Sequence, residues 1–227
     1  MLNNQNNMAS VANVGSEFSI ALDFNVTKLG PDFMWFNPPV QYQTRNNGTS
    51  GLRVVPRAKT DFWRRTYYKP EIVKDNGHLL HLIVKQDICI IETSFDLTAV
   101  NQFDQAGLMI RLGNEKWMKT GLEFVDGRYK LSCVVTNKWS DWSTQDWHES
   151  KLSLKIHKIF DDYVIEYKPK SAGDDQWKFM RITHIESTGH PIQIGLYCCA
   201  PTTEGMNVVF DKFSITSSDG NYPHKAM

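Results

Sequence analysis

The chain lacks a surplus of charge of either sign. Its 25 Lys and Arg are matched by 25 Asp and Glu, so the formal net charge at neutral pH is zero. That balance gives no long-range pull on nucleic acid or on an anionic membrane, and neither is expected as a partner. Arg64, Arg65 and Lys69 are too few to form a basic patch. No apolar run reaches membrane-spanning length. No secretory apolar segment opens the sequence; residues 1–15 start from the polar, Asn-rich Met1–Asn7 and are expected to be a frayed tail. Cysteine is scarce. Cys89, Cys133, Cys198 and Cys199 match no zinc or redox spacing. The apolar runs around them suit buried free thiols. Adjacent Cys198 and Cys199 would face opposite sides of a strand, which disfavours a mutual disulfide. Together these absences lead to an expectation of a reduced, cytoplasmic setting. Asn25-Val26-Thr27 and Asn47-Gly48-Thr49 match the glycosylation pattern, which has meaning only on secretion.

The usual catalytic and cofactor signatures are missing as well. There is no Gly-x-Ser-x-Gly elbow, no phosphate loop and no dinucleotide fingerprint. Cys89 and Cys133 have no nearby histidine to activate them. His78 and His81 are three apart on a strand-like segment and would face opposite sides. His148, His157, His184 and His190 show no ligand spacing. Calcium could use Asp104, Asp126, Asp161 or Asp162, but no segment repeats an oxygen-ligand pattern. No cofactor is expected.

Helix signals are nearly absent, whereas short strand-like segments recur between Gly, Asn and Asp. The pattern predicts strands near 18–24, 51–56, 79–85, 88–97, 106–111, 117–124, 128–136, 151–159, 163–168, 192–200 and 207–216. Asp126-Gly127 predicts a tight hairpin, and Asp161-Asp162 joins another pair. Residues 177–185 read either as a helical turn or as a strand. Asp141-Trp142-Ser143 reads as a loop. Without a linker or a repeat, residues 16–220 are expected to form one all-β domain, a sandwich or barrel.

Charged and aromatic residues gather in several of these segments. They are Thr60-Asp61-Phe62-Trp63-Arg64-Arg65-Thr66, Asp75-Asn76-Gly77-His78, Asp104-Gln105-Ala106-Gly107-Leu108-Met109-Ile110-Arg111, Trp117-Met118-Lys119-Thr120-Gly121-Leu122-Glu123 and Ser140-Asp141-Trp142-Ser143. In this order they resemble the "regulation of enolase" family, a domain of unknown function in the concanavalin-A-like lectin and glucanase superfamily. The resemblance runs from about Phe33 to Ile215. It implies a jelly-roll sandwich of two curved antiparallel sheets. Carbohydrate chemistry belongs to the superfamily and reaches this chain by fold analogy alone.

Alternation sorts the cluster. Trp117, Lys119, Gly121 and Glu123 share one face of their segment, and Gly107, Met109 and Arg111 one face of theirs. Asp61, Trp63, Arg65 and Tyr67 also share a parity. The candidate ligand-binding residues are therefore Asp61, Trp63, Arg65, Tyr67, Gln105, Arg111, Lys119, Glu123 and Trp142. Trp63 or Trp142 would stack on a sugar ring. Arg65 and Arg111 would fork onto hydroxyl, carboxylate or phosphate. Asp61, Gln105 and Glu123 would accept hydrogen bonds from hydroxyls. The competing reading is a surface ladder of ion pairs, with Arg111 opposite Glu123, and with Trp139 and Trp147 packing as core or loop.

These residues lead first to a carbohydrate or sugar-phosphate binding module, with a small molecule or oligosaccharide as partner and no catalysis. A divergent glycan hydrolase, lyase or epimerase is the enzyme alternative. In the superfamily that the resemblance implies, retaining glycosidases of the glucanase branch commonly carry a Glu-x-Asp-x-x-Glu string, which is absent here. Glu92 and Asp96 share a face but sit about 13 Å apart, too far for either hydrolytic geometry. Glu123 with Asp61 or Asp104 remains as a carboxyl set, and Tyr67 or Lys119 as a lyase base with Arg65 or Arg111 holding a uronate. A third reading is a regulatory scaffold with a protein partner, in which Trp35-Phe36-Asn37-Pro38-Pro39 is either a contact element or a plug on the sandwich edge.

Overall fold

A computed structural model describes residues 17–22, 24, 29–46, 49–187, 189–221 and 223–224. The expected tail, the triplet 25–27 and Asn47-Gly48 lie outside the described residues. The described chain is all strand, without a helix, and accordingly no helix is long and apolar enough to cross a membrane. In chain order the strands are β1 Ser19–Ala21, β2 Met34–Phe36, β3 Gln41–Asn46, β4 Thr49–Val55, β5 Phe62–Arg64, β6 Val73–Asp75, β7 His78–Val84, β8 Ile88–Thr98 and β9 Gln105–Arg111. There follow β10 Lys116–Val125, β11 Arg128–Asn137, β12 Trp139–Asp146, β13 Lys151–Ile159, β14 Asp162–Lys168, β15 Lys178–His184, β16 Ile192–Cys199 and β17 Asn207–Ser217.

Two large antiparallel sheets make the jelly-roll sandwich. One runs β15-β14-β13-β8-β17-β4-β3 with β1 beside β17, and the other β12-β11-β10-β9-β16-β7-β2. Period-2 alternation builds the interior. Leu80, Leu108, Ile110, Met118, Leu122 and Leu196 from the second sheet meet Ile91, Phe95, Leu154, Ile156, Phe210 and Phe213 from the first. Burying each such side chain contributes about 1.5–3 kcal/mol before entropy is counted.

The hairpin at Asp126-Gly127 has the expected form. Both residues have positive φ, 52° and 76°, which matches the twist of paired strands. It locks β10 to β11 with Val125 opposite Arg128. The β13–β14 turn sits one residue earlier than expected, at Phe160-Asp161, because Asp162 already pairs with Ile159. One other expectation changes and one open reading is settled. Residues 139–146 are strand β12, paired along β11, and 178–184 are strand β15, paired with β14. Both are edge strands with mostly exposed residues, so neither carries the apolar period that signals a strand. The short β2, β3 and β6 are too brief to carry a period, and β5 forms only the 62–64 part of the strand-like segment read over 61–67. Of the alternatives for residues 35–39, the plug is what forms: Trp35 packs on the core and Phe36 on a second cluster, as β2 closes the sheet beside β7.

The second sheet has an uncommon property. β9 is buried along its whole length and β10 nearly so, although one face of each carries charge. The reason is a flap. β5 and β6 pair with each other as a separate two-stranded sheet, and their segment lies on the outer face. Phe62 and Trp63 pack there against Met109, Trp117, Val134, Tyr197 and Cys199. Cys198 faces the main core and Cys199 this smaller one; all four cysteines are free and buried. Gly107 and Gly121 face each other across β9 and β10. A side chain on either would collide with the other strand's backbone.

Candidate functional site

A cavity of about 240 Å³ opens between the flap and β10–β12. Its floor is ionic. Lys119 Nζ donates to Asp61 Oδ1 at 2.9 Å, and Gln105 Nε2 donates to the same oxygen at 3.3 Å. Glu123, four residues along β10 from Lys119, accepts from Ser132 Oγ at 2.6 Å. Ser132 in turn accepts from Trp142 Nε1 at 2.9 Å. This relay fixes the Trp142 ring at the cavity edge. The remaining walls are Trp63, Tyr68, Ile72, Phe103 and Val134, and Lys59, Lys74 and Thr202 stand at the rim. Backbone bonds hold the flap over the site: Arg64 N donates to Ser140 Oγ at 2.9 Å, and Asn76 N and Gly77 N donate to Asp61 O at 3.1 Å each.

Burial controls the charges here. Lys119 is 2% exposed and Glu123 5%. Desolvation disfavours a charged carboxyl, and it pushes Glu123 up to about 7, against the opposing pull of Lys119 and the Ser132 hydrogen bond. Burial works against the Lys119 ammonium too, but Asp61, aided by Cys199 and Glu123, outweighs it and leaves the lysine above its ordinary value. The floor is thus a buried Lys119–Asp61 pair beside a carboxyl pushed up toward neutrality. Burial, with Asp61 second, also raises the Tyr68 phenol.

A second compartment of about 440 Å³ adjoins the first and shares Trp63, Tyr68, Phe103 and Trp142 with it. Among the described residues no group of three or more His, Cys, Asp and Glu side chains could hold a metal ion. Of the aspartates considered for calcium, Asp104 is buried and its Oδ2 accepts from the amides of Val100 and Asn101.

The family model of DUF1349, a protein of unknown function, matches residues 35–218. The chain belongs to this family. It is 30% identical over 174 residues to "Regulation of enolase protein 1" of Saccharomyces cerevisiae, covering 73% of this chain and 81% of that protein. It is 27% identical over 169 residues to "Uncharacterized protein AN7484" of Emericella nidulans, covering 69% and 80%. Among solved structures, a functionally unknown Saccharomyces cerevisiae protein superposes with a TM-score of 0.73 at 27% identity, over 82% of this chain and 97% of that one. A GH43 protein from the Bacteroides ovatus xyloglucan locus superposes at 0.71 with 14% identity, over 93% of this chain and 41% of its own length. At that identity the likeness concerns the fold alone.

In this DUF1349 chain, Asp61, Trp63, Lys119, Glu123 and Trp142 line the first cavity. Gln105 is buried beneath it and supports Asp61. Tyr67 lines only the second compartment and is 87% exposed. The shared parity expected for residues 61–67 fails because Arg65 and Tyr67 have φ of 65° and 75°, which ends the strand after Arg64. Arg65 lines neither compartment; it pairs with Glu71 and lies over Trp139. Arg111 lines neither as well. It donates to Asp75 Oδ2 at 2.8 Å and Gln193 Oε1 at 2.9 Å, with its guanidinium over Phe36. It pins the flap, as Arg64 does from the other side through Glu115. The arginine clamp on a uronate is therefore not assembled, and Arg111 stands opposite Trp117, not Glu123. His78 has a structural role: its ring contacts Asn37 O and accepts from Arg57 N.

Sequence reasoning missed Tyr68, Phe103, Ser132, Val134 and the rim lysines. Ser132 and Val134 were accessible in principle. The two-residue turn at Asp126-Gly127 sets Gly121 opposite Ser132 and Lys119 opposite Val134, on the charged face. Phe103 lies outside any strand and gave no signal.

Proposed function

We propose that the cavity under the flap binds a carbohydrate or sugar-phosphate ligand without catalysis. One observation carries this reading. The fixed Asp61–Lys119 pair and the Glu123 carboxyl share a cavity with the rings of Trp63, Tyr68 and Trp142. A sugar presents hydroxyls at its edge and carbon faces above and below, so it uses both kinds of surface at once. Rings alone would suit an apolar ligand, and ions alone a simple salt. Lys59 and Lys74 are exposed at the rim and in no ion pair among the described residues, a place for the phosphate of a sugar phosphate.

The GH43 protein and a xylan β-1,4-xylosidase from Bacillus halodurans share the sandwich, and fold alone carries no chemistry. The test is a melting-temperature and calorimetric screen with glucose, galactose, xylose, their disaccharides, glucuronate and glucose 6-phosphate. Saturable binding lost in Trp142→Ala, with folding intact, is expected. Binding unchanged in that variant would remove the ligand from this cavity.

A specific observation favours a second reading, an acid–base enzyme. Asp61 and Glu123 line one cavity, and Glu123 is pushed up to about 7, where a carboxyl serves as acid or base. Turnover of a bound sugar that disappears in Glu123→Gln while binding persists would establish it.

A further inference from the structure

The two adjoining compartments differ in chemistry as well as in size. The inner one holds the ionic floor and is about 240 Å³, below the roughly 300–1,000 Å³ usual for sites of larger organic ligands. The outer one, about 440 Å³, is lined by no cation among the described residues. Its polar lining is Gln102, Asp126, Ser140 and Thr66. Gln102 and Asp126 are held by two mutual hydrogen bonds of 2.9 Å.

The boundary between the compartments is a ladder of edge-on aromatic rings. Phe103 meets Trp142 at 6.3 Å, Trp142 meets Trp63 at 6.3 Å, and Trp63 meets Tyr68 at 5.9 Å. Tyr68 then meets Tyr67 at 5.3 Å. Tyr67, the last rung, leaves its ring in solvent.

The backbone that presents this exposed ring is held in place. Arg65 and Tyr67 on one side and Phe103 on the other all have positive φ, a conformation that costs a non-glycine residue stability and persists only where its surroundings enforce it. The enforcement is visible. Arg65 N donates to Ile72 O at 2.7 Å, Thr66 N to Arg64 O at 2.8 Å and Tyr68 N to Thr66 O at 3.0 Å, while Trp63 Nε1 donates to Thr66 O at 3.1 Å. Core packing gains nothing from Tyr67, so folding alone gives no reason to hold an aromatic there in a disfavoured backbone. A preorganised, solvent-facing ring beside a cleft is a stacking surface ready for a ligand.

We infer that the site is a two-subsite cleft for an oligosaccharide of at least two rings. The terminal ring occupies the inner compartment on Asp61, Lys119 and Glu123. The next ring, not an acidic one because Asp126 lines that compartment and no cation among the described residues does, stacks on Tyr67 in the outer one. The inference rests on the carbohydrate reading above and adds to it the length and the direction of the ligand.

The test is calorimetry of the full chain with matched pairs: glucose and cellobiose, galactose and lactose, xylose and xylobiose. For at least one pair the disaccharide should bind about tenfold tighter than its monosaccharide, the scale of one added stacked ring. In Tyr67→Ala, whose melting temperature should match the parent because the side chain is exposed, the disaccharide should fall to the affinity of the monosaccharide. Equal affinities within every pair, or a disaccharide unaffected by Tyr67→Ala, would overturn the second subsite and leave the inner one standing. Binding of glucose 6-phosphate alone would do the same. Binding of no sugar at all would overturn the carbohydrate reading and this inference with it.

Discussion

Replacing Glu123 by Gln isolates the cost of an ionised carboxyl in the cavity floor. Glu123 moves from an ordinary 4.5 up to about 7 on folding, with burial as the main cause. The sign follows directly. Between those two values the folded state holds a proton that the unfolded state has released, so stability falls as pH rises through this window. The size is the gap times about 1.4 kcal/mol per unit, or about 3 kcal/mol lost between pH 4.5 and pH 8. Gln keeps the shape and can still accept from Ser132 Oγ, but it has no proton to release. Urea unfolding of both proteins at pH 5, 6, 7 and 8 is the assay. The parent should lose about 2–3 kcal/mol more than the variant across that range, equivalent to roughly 5–10 °C in melting temperature for a chain of this size. Titration of groups remote from Glu123, such as His184 beside Asp162, cancels in the difference. A difference between the two that stays constant with pH would refute the argument that Glu123 is desolvated.

Two further outcomes are expected. Arg111→Met should unpair Asp75 and loosen the flap, so that amides of residues 62–64 and 73–75 exchange at least tenfold faster while those of β13 and β14 do not, as hydrogen-exchange mass spectrometry would read; uniform protection would deny Arg111 its role as a pin. Burial pushes the Cys89 and Cys133 thiols up to about 12 and raises those of Cys198 and Cys199 too, so none should react with a disulfide reagent at pH 8 until denaturant is added, and rapid labelling of any one in the native protein would contradict its burial.

The long strands and the sandwich were legible because each carries its own record. The alternation in 151–159 or 207–216 reflects one face against a core, and such a pattern is local. The Asp126-Gly127 turn was legible for a related reason, since positive φ selects residue types. The edge strands β12 and β15 left no such record, because an exposed strand satisfies its backbone by pairing and its side chains face water on both sides. For the site, alternation put Lys119 and Glu123 on one face of β10, correctly. It then extended parity through residues 61–67, where two left-handed residues break it.

What the sequence by itself determined is which residues share a face and which face is apolar. Those follow from the two-residue period of an extended chain, which no distant contact can alter. The division of labour among the charges was decided by tertiary structure alone. Arg65, Arg111 and Lys119 look equivalent as cations on candidate strands. The fold commits Arg111 to Asp75 under the flap, commits Arg65 to Glu71 at the surface, and leaves Lys119 on a cavity floor with Asp61. The physical reason is that a buried charge must find its partner wherever the chain brings one, and the partner here lies 58 residues away for Lys119 and 36 for Arg111. No local pattern encodes such a separation, and the flap that creates both the burial and the cavity exists only once two distant segments have met.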